Sequence, residues 1–238
     1  MKQVLAGYYK ELLLILDNSI KTKIALQPIF NLSTGALYGY EALARWNSLN
    51  PENIFQTASK TNLIIDLEKE ILKAIIQIIP FISDKLFINV YPTLPDANMW
   101  HCLKNENVVL EITEAANINF QGISQLRNLG FVLGLYDIGK GSATLDNLAK
   151  LQPDFLKIDK SLTQSKNVFA RNSLIKAFVD HSIRLNSKIV LEGIETKEQY
   201  LAAKKCGAHY GQGYYLAEPQ IFDPEKDLLK RENFNHLK

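Results

Sequence analysis

The chain has 238 residues and a formal net charge of +2, which is too small to indicate binding to nucleic acid or to a membrane surface. Its hydrophobic share of 47% and charged share of 22% are those of an ordinary globular protein. The two cysteines, Cys102 and Cys206, show neither metal-site spacing nor a disulfide framework, which favours a reducing, cytoplasmic location.

The N-terminal residues 2–17 predict an amphipathic helix. Its apolar stretch LLLIL at 12–16 is bracketed by acidic residues and is far too short to span a bilayer. By the helical period, one face of the helix carries Val4, Tyr8, Leu12 and Ile15. We expect residues 1–18 to pack as a helix on a single domain formed by residues 19–238. A partner-binding or dimerising helix is the alternative.

Eight short runs of apolar, β-branched or aromatic residues predict strands. They are IALQPIF (24–30), ALYGYEALARW (36–46), KLFINVY (85–91), NVVLEIT (107–113), FVLGLYDI (131–138), FLKIDKSL (155–162), KIVLEGIE (188–195) and YGQGYYLA (210–217). From the third run onward they alternate with stretches of helical period, notably at 52–79, 119–130, 168–186 and 197–207. Continuous alternation of strand and helix predicts a parallel sheet, and eight such units predict a closed barrel.

The first two predicted strands break this alternation. They are joined by NLSTG at 31–35, which is too short for a crossover helix, so the pair should form an antiparallel hairpin. The residue pattern therefore predicts an α/β fold, a TIM-like (β/α)8 barrel with one irregular corner.

Each predicted strand carries or ends on one or two charged or amide side chains. They are Gln27, Glu41 with Arg45, Asn89, Glu111, Asp137, Lys157, Glu192 and Gln212. A buried charge costs several kcal/mol unless it is paired or bound to a metal, and one such residue could be part of a structural ion pair. A set that recurs on successive strands instead predicts a site at the end of the barrel where active sites lie. Its many oxygen donors suit Mg²⁺ or Mn²⁺.

A phosphate-binding loop is the main competing interpretation of one segment. GLYDIGKG at 134–141 comes close to the P-loop pattern, but Gly141 stands where Ser or Thr must meet the metal. No G-x-S-x-G nucleophile elbow is present in the sequence. The sequence therefore favours neither a nucleoside-triphosphate site nor a serine hydrolase of that type.

The strand motifs resemble those of one known family. YGYEALARW at 38–46 resembles the signature of the EAL domain, the family of cyclic di-GMP phosphodiesterases. Further segments are similar to family motifs at matching positions: LQPIF (26–30), FINVYP (87–92), LEITE (110–114), PDFLKID (153–159), VLEGIET (190–196) and GQGYYLAEP (211–219). The resemblance covers the chain from about residue 20 to about residue 220. It implies a barrel of the predicted type whose first strand runs antiparallel.

The resemblance also implies an activity and a metal site. Active family members hydrolyse one phosphodiester of cyclic di-GMP to linear pGpG, using two Mg²⁺ or Mn²⁺ ions. In this sequence Glu41, Asn89 and Glu111 match ligands of the first ion. Asp137 and Glu192 match ligands of the second ion, and Glu192 is also a candidate base.

Other matched positions imply contacts with the attacking water and with the ligand. Lys157 matches the lysine that positions the water, and Gln212 matches a glutamine near that water and the ligand. Arg45 and Gln27 match ligand contacts, and the planar fork of Arg45 suits two phosphate oxygens. Glu114 matches a glutamate that steadies the loop after the fifth strand.

One position departs from the family pattern. Aligned on Gly139 and Gly141, Tyr136 stands where the resemblance places an aspartate that both metals share. A tyrosine is neutral at pH 7 and is a poor ligand for a hard cation. Loss of even an outer-shell partner costs roughly 10–100-fold in metal affinity or activity, so loss of a bridging ligand should cost at least as much.

Three functions remain open from the sequence. The first is a cyclic di-GMP-binding domain in bacterial second-messenger signalling, with hydrolysis lost or strongly weakened. The second is an active metal-dependent phosphodiesterase, and the third is a protein-interaction module that has lost the ligand as well. The expected partners are cyclic di-GMP, an unidentified effector protein and a second copy of the chain. The N-terminal helix and the loop at 139–144 are the surfaces expected to make protein contacts, and no nucleic acid or membrane span is expected.

Overall fold

The computed structural model is described here for residues 2–91, 97–103, 107–113, 119–138, 148 and 150–223. For residues 2–6, 97, 98, 113 and 137 the description is limited to the backbone. The predicted site residue Glu114 and the loop at 139–144 lie outside the described residues.

Eight strands of the described part close into a barrel. Their bounds are β1 Lys23–Asn31, β2 Leu37–Arg45, β3 Lys85–Val90, β4 Val108–Thr113, β5 Val132–Ile138, β6 Phe155–Ile158, β7 Lys188–Leu191 and β8 Tyr210–Gly211. Strands β2 to β8 pair in parallel in chain order. Strand β1 closes the ring because it pairs antiparallel with both β2 and β8. The predicted (β/α)8 barrel with an antiparallel first strand is therefore confirmed.

The helices of the described part connect and cover the strands. Their bounds are α1 Lys2–Leu16, α2 Pro51–Lys60, α3 Ile64–Ile78, α4 Phe120–Asn128, α5 Lys160–Thr163, α6 Val168–Leu185 and α7 Lys197–Lys205, with 3-10 turns at Ile79–Phe81 and Ala97–Leu103. None of these helices is long and apolar enough to cross a membrane. A short strand β9, Gln220–Ile221, pairs with the same edge of β1 as β8 does.

Several predicted elements differ in length from those observed. The run at 188–195 is a strand only over Lys188–Leu191, and three other differences have a local cause. The helical stretch at 52–79 is divided into α2 and α3, because Asn62 adopts a left-handed conformation with φ 58° that ends a helix. The run at 155–162 turns from β6 into α5, where the Asp159 side chain caps the helix by accepting the N–H of Ser161. The run at 210–217 is a strand only over Tyr210–Gly211, since Gly213 has φ 152° and the chain turns there.

The N-terminal helix packs against the outer layer of helices. Leu12 and Ile15 of α1 are fully buried in a cluster with Trp46, Ile54 and Leu67. The Trp46 indole N–H donates a hydrogen bond to Thr22 Oγ1 at 2.8 Å, which ties the end of β2 to the segment before β1. The same helix exposes Tyr9 and Leu13 on its other side.

An apolar layer fills the barrel interior below the polar positions. Its buried members are Ile29, Phe87, Val109, Phe155 and Val190, with Tyr38, Val132 and Tyr210 packed against them. Side chains of a strand return to the same face every second residue. The next inward positions along the parallel strands are Asn89, Glu111, Lys157, Glu192 and Gln212. A polar layer therefore lies directly above the apolar one, toward the carboxyl ends of the strands.

Candidate active site

Lys157 lies at the centre of the polar layer. Its Nζ is 3.0 Å from Glu41 Oε2, 3.0 Å from Glu111 Oε2 and 3.0 Å from Glu192 Oε1. The lysine and Glu111 have side chains that are 0% exposed. Burial by itself would lower the pKa of Lys157, but Glu111, Glu41 and Glu192 outweigh it and raise the pKa well above its ordinary value. The ammonium is therefore fully charged at neutral pH.

Glu41 is the best-satisfied carboxylate of this cluster. Besides Lys157, it accepts a hydrogen bond from Asn89 Nδ2 at 2.8 Å and one from Gln212 Nε2 at 2.7 Å. Burial by itself would raise the pKa of Glu41, but Lys157 and these two amides together lower it below its usual value. Glu41 is thus an ionised, fixed carboxylate.

Glu111 has the opposite character although its distance to Lys157 is the same. Burial raises the pKa of Glu111 to about 8, because Lys157 offsets the burial only in part and Glu41 adds repulsion. Within the described part of the chain, its second oxygen, Oε1, is buried and has no hydrogen-bond partner. The contrast with Glu41 follows from its two amide donors, Asn89 and Gln212, since no described side chain makes such a contact to Glu111 Oε1.

Tyr136 covers the lysine from the side of β5. Its ring centroid is 4.7 Å from Lys157 Nζ, a cation–π geometry. The pairing of β5 with β6 is irregular between Leu135 and Ile138, and such irregularities re-aim side chains at the ends of strands. Asp137 belongs to the same irregular stretch of β5, but its side chain is not among those described.

The structure brings six of the predicted site residues together and leaves others apart. Those in the cluster are Glu41, Asn89, Glu111, Lys157, Glu192 and Gln212. Gln27 is buried on β1 directly opposite Glu41. Arg45 stands at the end of β2, where its Nη1 donates to the carbonyl of Ala44 at 2.9 Å. Arg45 has no ion pair or hydrogen bond with the cluster among the described residues.

The donor chemistry of the cluster fits a hard divalent cation. Asn89 and Glu111 are neighbours in register on β3 and β4. Among the described side chains, Asn89 Oδ1 and Glu111 Oε1 are buried without a hydrogen-bond partner, which is costly unless something donates to them or coordinates them. Amide and carboxylate oxygens are the ligands that Mg²⁺ prefers. No three His, Cys, Asp or Glu side chains of the described part form a metal-binding group by themselves, and the carboxylates converge on Lys157 instead.

Sequence reasoning missed a further buried carboxylate, which supports the site from outside the barrel. Glu68 on α3 is buried, and its Oε1 accepts the N–H of Tyr91 at 2.6 Å, two residues after Asn89. The Tyr91 hydroxyl in turn shares a hydrogen bond with Ser59 Oγ of α2 at 3.0 Å. Nothing in the sequence distinguishes Glu68 from other acidic residues of the same helix, because its burial depends on how α3 docks.

The chain forms a closed α/β barrel, and a lysine–carboxylate cluster lies at the carboxyl ends of its strands. This is the architecture of a barrel enzyme or of a ligand-binding relative of one. The family model for the EAL domain matches residues 16–219. The chain belongs to the EAL domain family.

Two curated relatives of this chain are named as probable cyclic di-GMP phosphodiesterases. The chain is 30% identical over 226 residues to the probable cyclic di-GMP phosphodiesterase PdeD of Escherichia coli K12, covering 86% of this chain and 42% of that protein. It is 30% identical over 235 residues to the probable cyclic di-GMP phosphodiesterase PdeG of the same organism, covering 86% and 45%. The chain thus spans less than half of the length of these relatives.

Solved structures show the same fold. The EAL enzyme Bd1971 in its cGMP-bound form superposes with a TM-score of 0.81 at 22% identity, covering 91% of this chain and 67% of that chain. The PaMucR phosphodiesterase in complex with c-di-GMP superposes with a TM-score of 0.74 at 24% identity, covering 88% and 99%. At these identities the likeness concerns the fold.

Proposed function

We propose that this chain is a cyclic di-GMP-binding EAL domain whose hydrolytic activity is lost or strongly weakened. The observation that carries the proposal is the position of Tyr136, whose ring centroid lies 4.7 Å from the ammonium of Lys157 within the carboxylate cluster. A neutral aromatic side chain thus stands beside the cluster where the family resemblance implies a bridging aspartate. The rest of the polar layer is intact, which supports a retained pocket.

The charges around the pocket support binding of a phosphodiester. Arg45 is only partly buried at the rim, and its guanidinium fork can meet two phosphate oxygens. Gln27 adds an amide on the neighbouring strand, directly opposite Glu41. Cyclic di-GMP carries two phosphodiester charges, and PaMucR, which has the same fold, was solved with this ligand.

The residues proposed to hold metal ions are those with suitable oxygen donors. Glu41, Asn89 and Glu111 would hold the first Mg²⁺ or Mn²⁺ ion, and Asp137 with Glu192 would hold the second. Bound dications offset the charge of the phosphodiester and lower the pKa of bound water. The unpartnered Asn89 Oδ1 and Glu111 Oε1, as far as the structure is described, support the first of these assignments.

Lys157, Gln212 and Glu192 have separate roles around the proposed metal ions. Lys157 holds its proton, since the surrounding carboxylates raise its pKa well above the ordinary value. Its Nζ lies 3.0 Å from Glu41, Glu111 and Glu192, so it can donate a hydrogen bond to water or to a phosphate oxygen only after it leaves one of these carboxylates, and it cannot accept a proton from water in this state. Gln212 fixes the orientation of Glu41 and reaches Glu192 at 3.4 Å. Glu192 directly follows β7 and, at 7%, is the most exposed of the three carboxylates around Lys157, which supports it as the group that accepts a proton from water.

The experiment is a calorimetric titration with cyclic di-GMP in Ca²⁺, in Mg²⁺ and in Mn²⁺, followed by chromatography of the nucleotides. We expect saturable binding and no linear pGpG from the wild-type chain. Tyr136→Asp should gain turnover in Mn²⁺, whereas the matched control Tyr136→Phe should behave as the wild type. Failure of cyclic di-GMP to bind in every buffer would contradict the proposal.

The second candidate function is an active metal-dependent phosphodiesterase. It is favoured by the intact cluster of Glu41, Glu111, Glu192 and Lys157, which holds three of the carboxylates such chemistry needs. Production of pGpG by the wild-type chain in Mn²⁺, at a rate similar to that of Tyr136→Asp, would establish this function and exclude the first.

A further inference from the structure

We propose that the Lys157 ammonium competes with divalent metal ions for the same carboxylates of this pocket. Tyr136 is the positioning residue that holds the ammonium beside these carboxylates. The inference deepens the proposed function, on which it rests for the assignment of the metal-binding carboxylates. It predicts a pocket that is stable without metal and that admits a metal ion only when the lysine is displaced.

The first support is the geometry around the ammonium. A lysine ammonium has three N–H donors, and Lys157 Nζ has three carboxylate oxygens at 3.0 Å, one each from Glu41, Glu111 and Glu192. All of its donors are therefore used within a pocket where the lysine is 0% exposed. Two of these carboxylates are on the strands proposed to hold the first metal ion, so a bound dication must share or take the oxygens that the ammonium occupies.

The second support is electrostatic. Three buried carboxylates repel one another, and their charge must be offset by a cation or by protonation. Lys157 offsets one of the three charges, which leaves an excess of negative charge on Glu41, Glu111 and Glu192. The same excess negative charge attracts a dication once the ammonium leaves, so the two cations bind in competition.

The third support is the ring of Tyr136. It lies 4.7 Å from Nζ, and a cation–π contact is stronger when the cation is buried, as the 0% exposed Lys157 is. An aspartate at the same position would add a further carboxylate to the cluster. The tyrosine instead adds an attraction that acts on the ammonium and not on a hard dication bound through oxygens. The substitution therefore shifts the competition toward the lysine.

The test is a titration of the nucleotide-free protein with Mn²⁺, followed by electron paramagnetic resonance of the free ion. We expect weak binding by the wild-type chain and by Tyr136→Phe, because the ring is kept. Tyr136→Leu, which removes the ring, should bind Mn²⁺ about tenfold more tightly, the factor that corresponds to about 1.4 kcal/mol for a cation–π contact with a partly buried ring. Lys157→Met should bind Mn²⁺ more tightly still.

Circular dichroism and thermal unfolding of each variant, with and without Mn²⁺, form the second measurement. Mn²⁺ should raise the unfolding temperature of Tyr136→Leu and leave that of the wild type nearly unchanged. Equal Mn²⁺ affinity in the wild type and Tyr136→Leu would overturn the proposal. So would a Tyr136→Phe variant that behaves like Tyr136→Leu. Because no nucleotide is present, these results are independent of whether cyclic di-GMP binds, which the calorimetric titration decides.

Discussion

The buried carboxylate of Glu68 gives a prediction with a defined pH dependence. Glu68 lies on α3 and is 6% exposed, and its Oε1 accepts the N–H of Tyr91 at 2.6 Å. Burial raises the pKa of Glu68 from 4.5 to about 7, and the hydrogen bond from Tyr91 offsets this only in part. We expect Glu68→Gln to keep the hydrogen bond through its amide carbonyl while removing the buried charge.

The size of the effect follows from the difference in pKa between the folded and unfolded states. In the folded protein Glu68 is protonated up to about pH 7, whereas in the unfolded chain it loses its proton near pH 4.5. The folded state binds more protons between these values, so wild-type stability falls as the pH rises through this window. At about 1.4 kcal/mol for each pKa unit, the loss between pH 5 and pH 8 is on the order of 2 kcal/mol. The free energy of unfolding of Glu68→Gln should not show this loss.

The assay is urea unfolding of the wild type and Glu68→Gln at pH 5 and at pH 8. The variant's free energy of unfolding, relative to the wild type, should rise by about 2 kcal/mol between these pH values, or about 4–8 °C in unfolding temperature. Contributions from Glu111 and other groups are common to both proteins and cancel. The matched control is Asp66→Asn, an exposed carboxylate on the same helix, whose difference from the wild type should not change. A pH-independent difference for Glu68→Gln would refute the reasoning.

Two further predictions concern the packing of the barrel. Leu12→Ala should lower the free energy of unfolding by about 3 kcal/mol, because Leu12 is 0% exposed in the cluster with Trp46. Urea unfolding measures this change. A loss below about 1 kcal/mol would show that the packing of α1 does not depend on this contact. Gly39→Ala should cost on the order of 2–3 kcal/mol, because a Cβ at Gly39 clashes with the backbone carbonyl of Lys85 on the paired strand and lies 2.8 Å from its Cβ. Thermal unfolding of Gly39→Ala beside Gly7→Ala, whose added Cβ meets nothing within 4 Å, tests this, and equal unfolding temperatures would contradict it.

The strand order was predictable because each strand carries a local signal. Inward positions recur every second residue, so a run such as KLFINVY shows both its apolar face and the one polar residue that breaks it. The short connection at 31–35 also determined the antiparallel first pair, since five residues cannot form a crossover helix. The lengths of the elements were less predictable. The left-handed Asn62 and the turn at Gly213 end elements whose apolar pattern continues beyond them.

The same distinction between sequence and tertiary structure applies to the residues of the site. The sequence determined which polar side chains belong to the strands, because a charged or amide residue in an apolar strand is visible without any knowledge of contacts. Only the tertiary structure decided that Lys157 lies 3.0 Å from each of three carboxylates and that Tyr136 covers it. It also decided that Arg45 stands apart from this cluster and that Glu68 is buried. The physical reason is that burial and ion pairing depend on distances between strands and helices far apart in the chain, whereas periodicity depends only on neighbours along it.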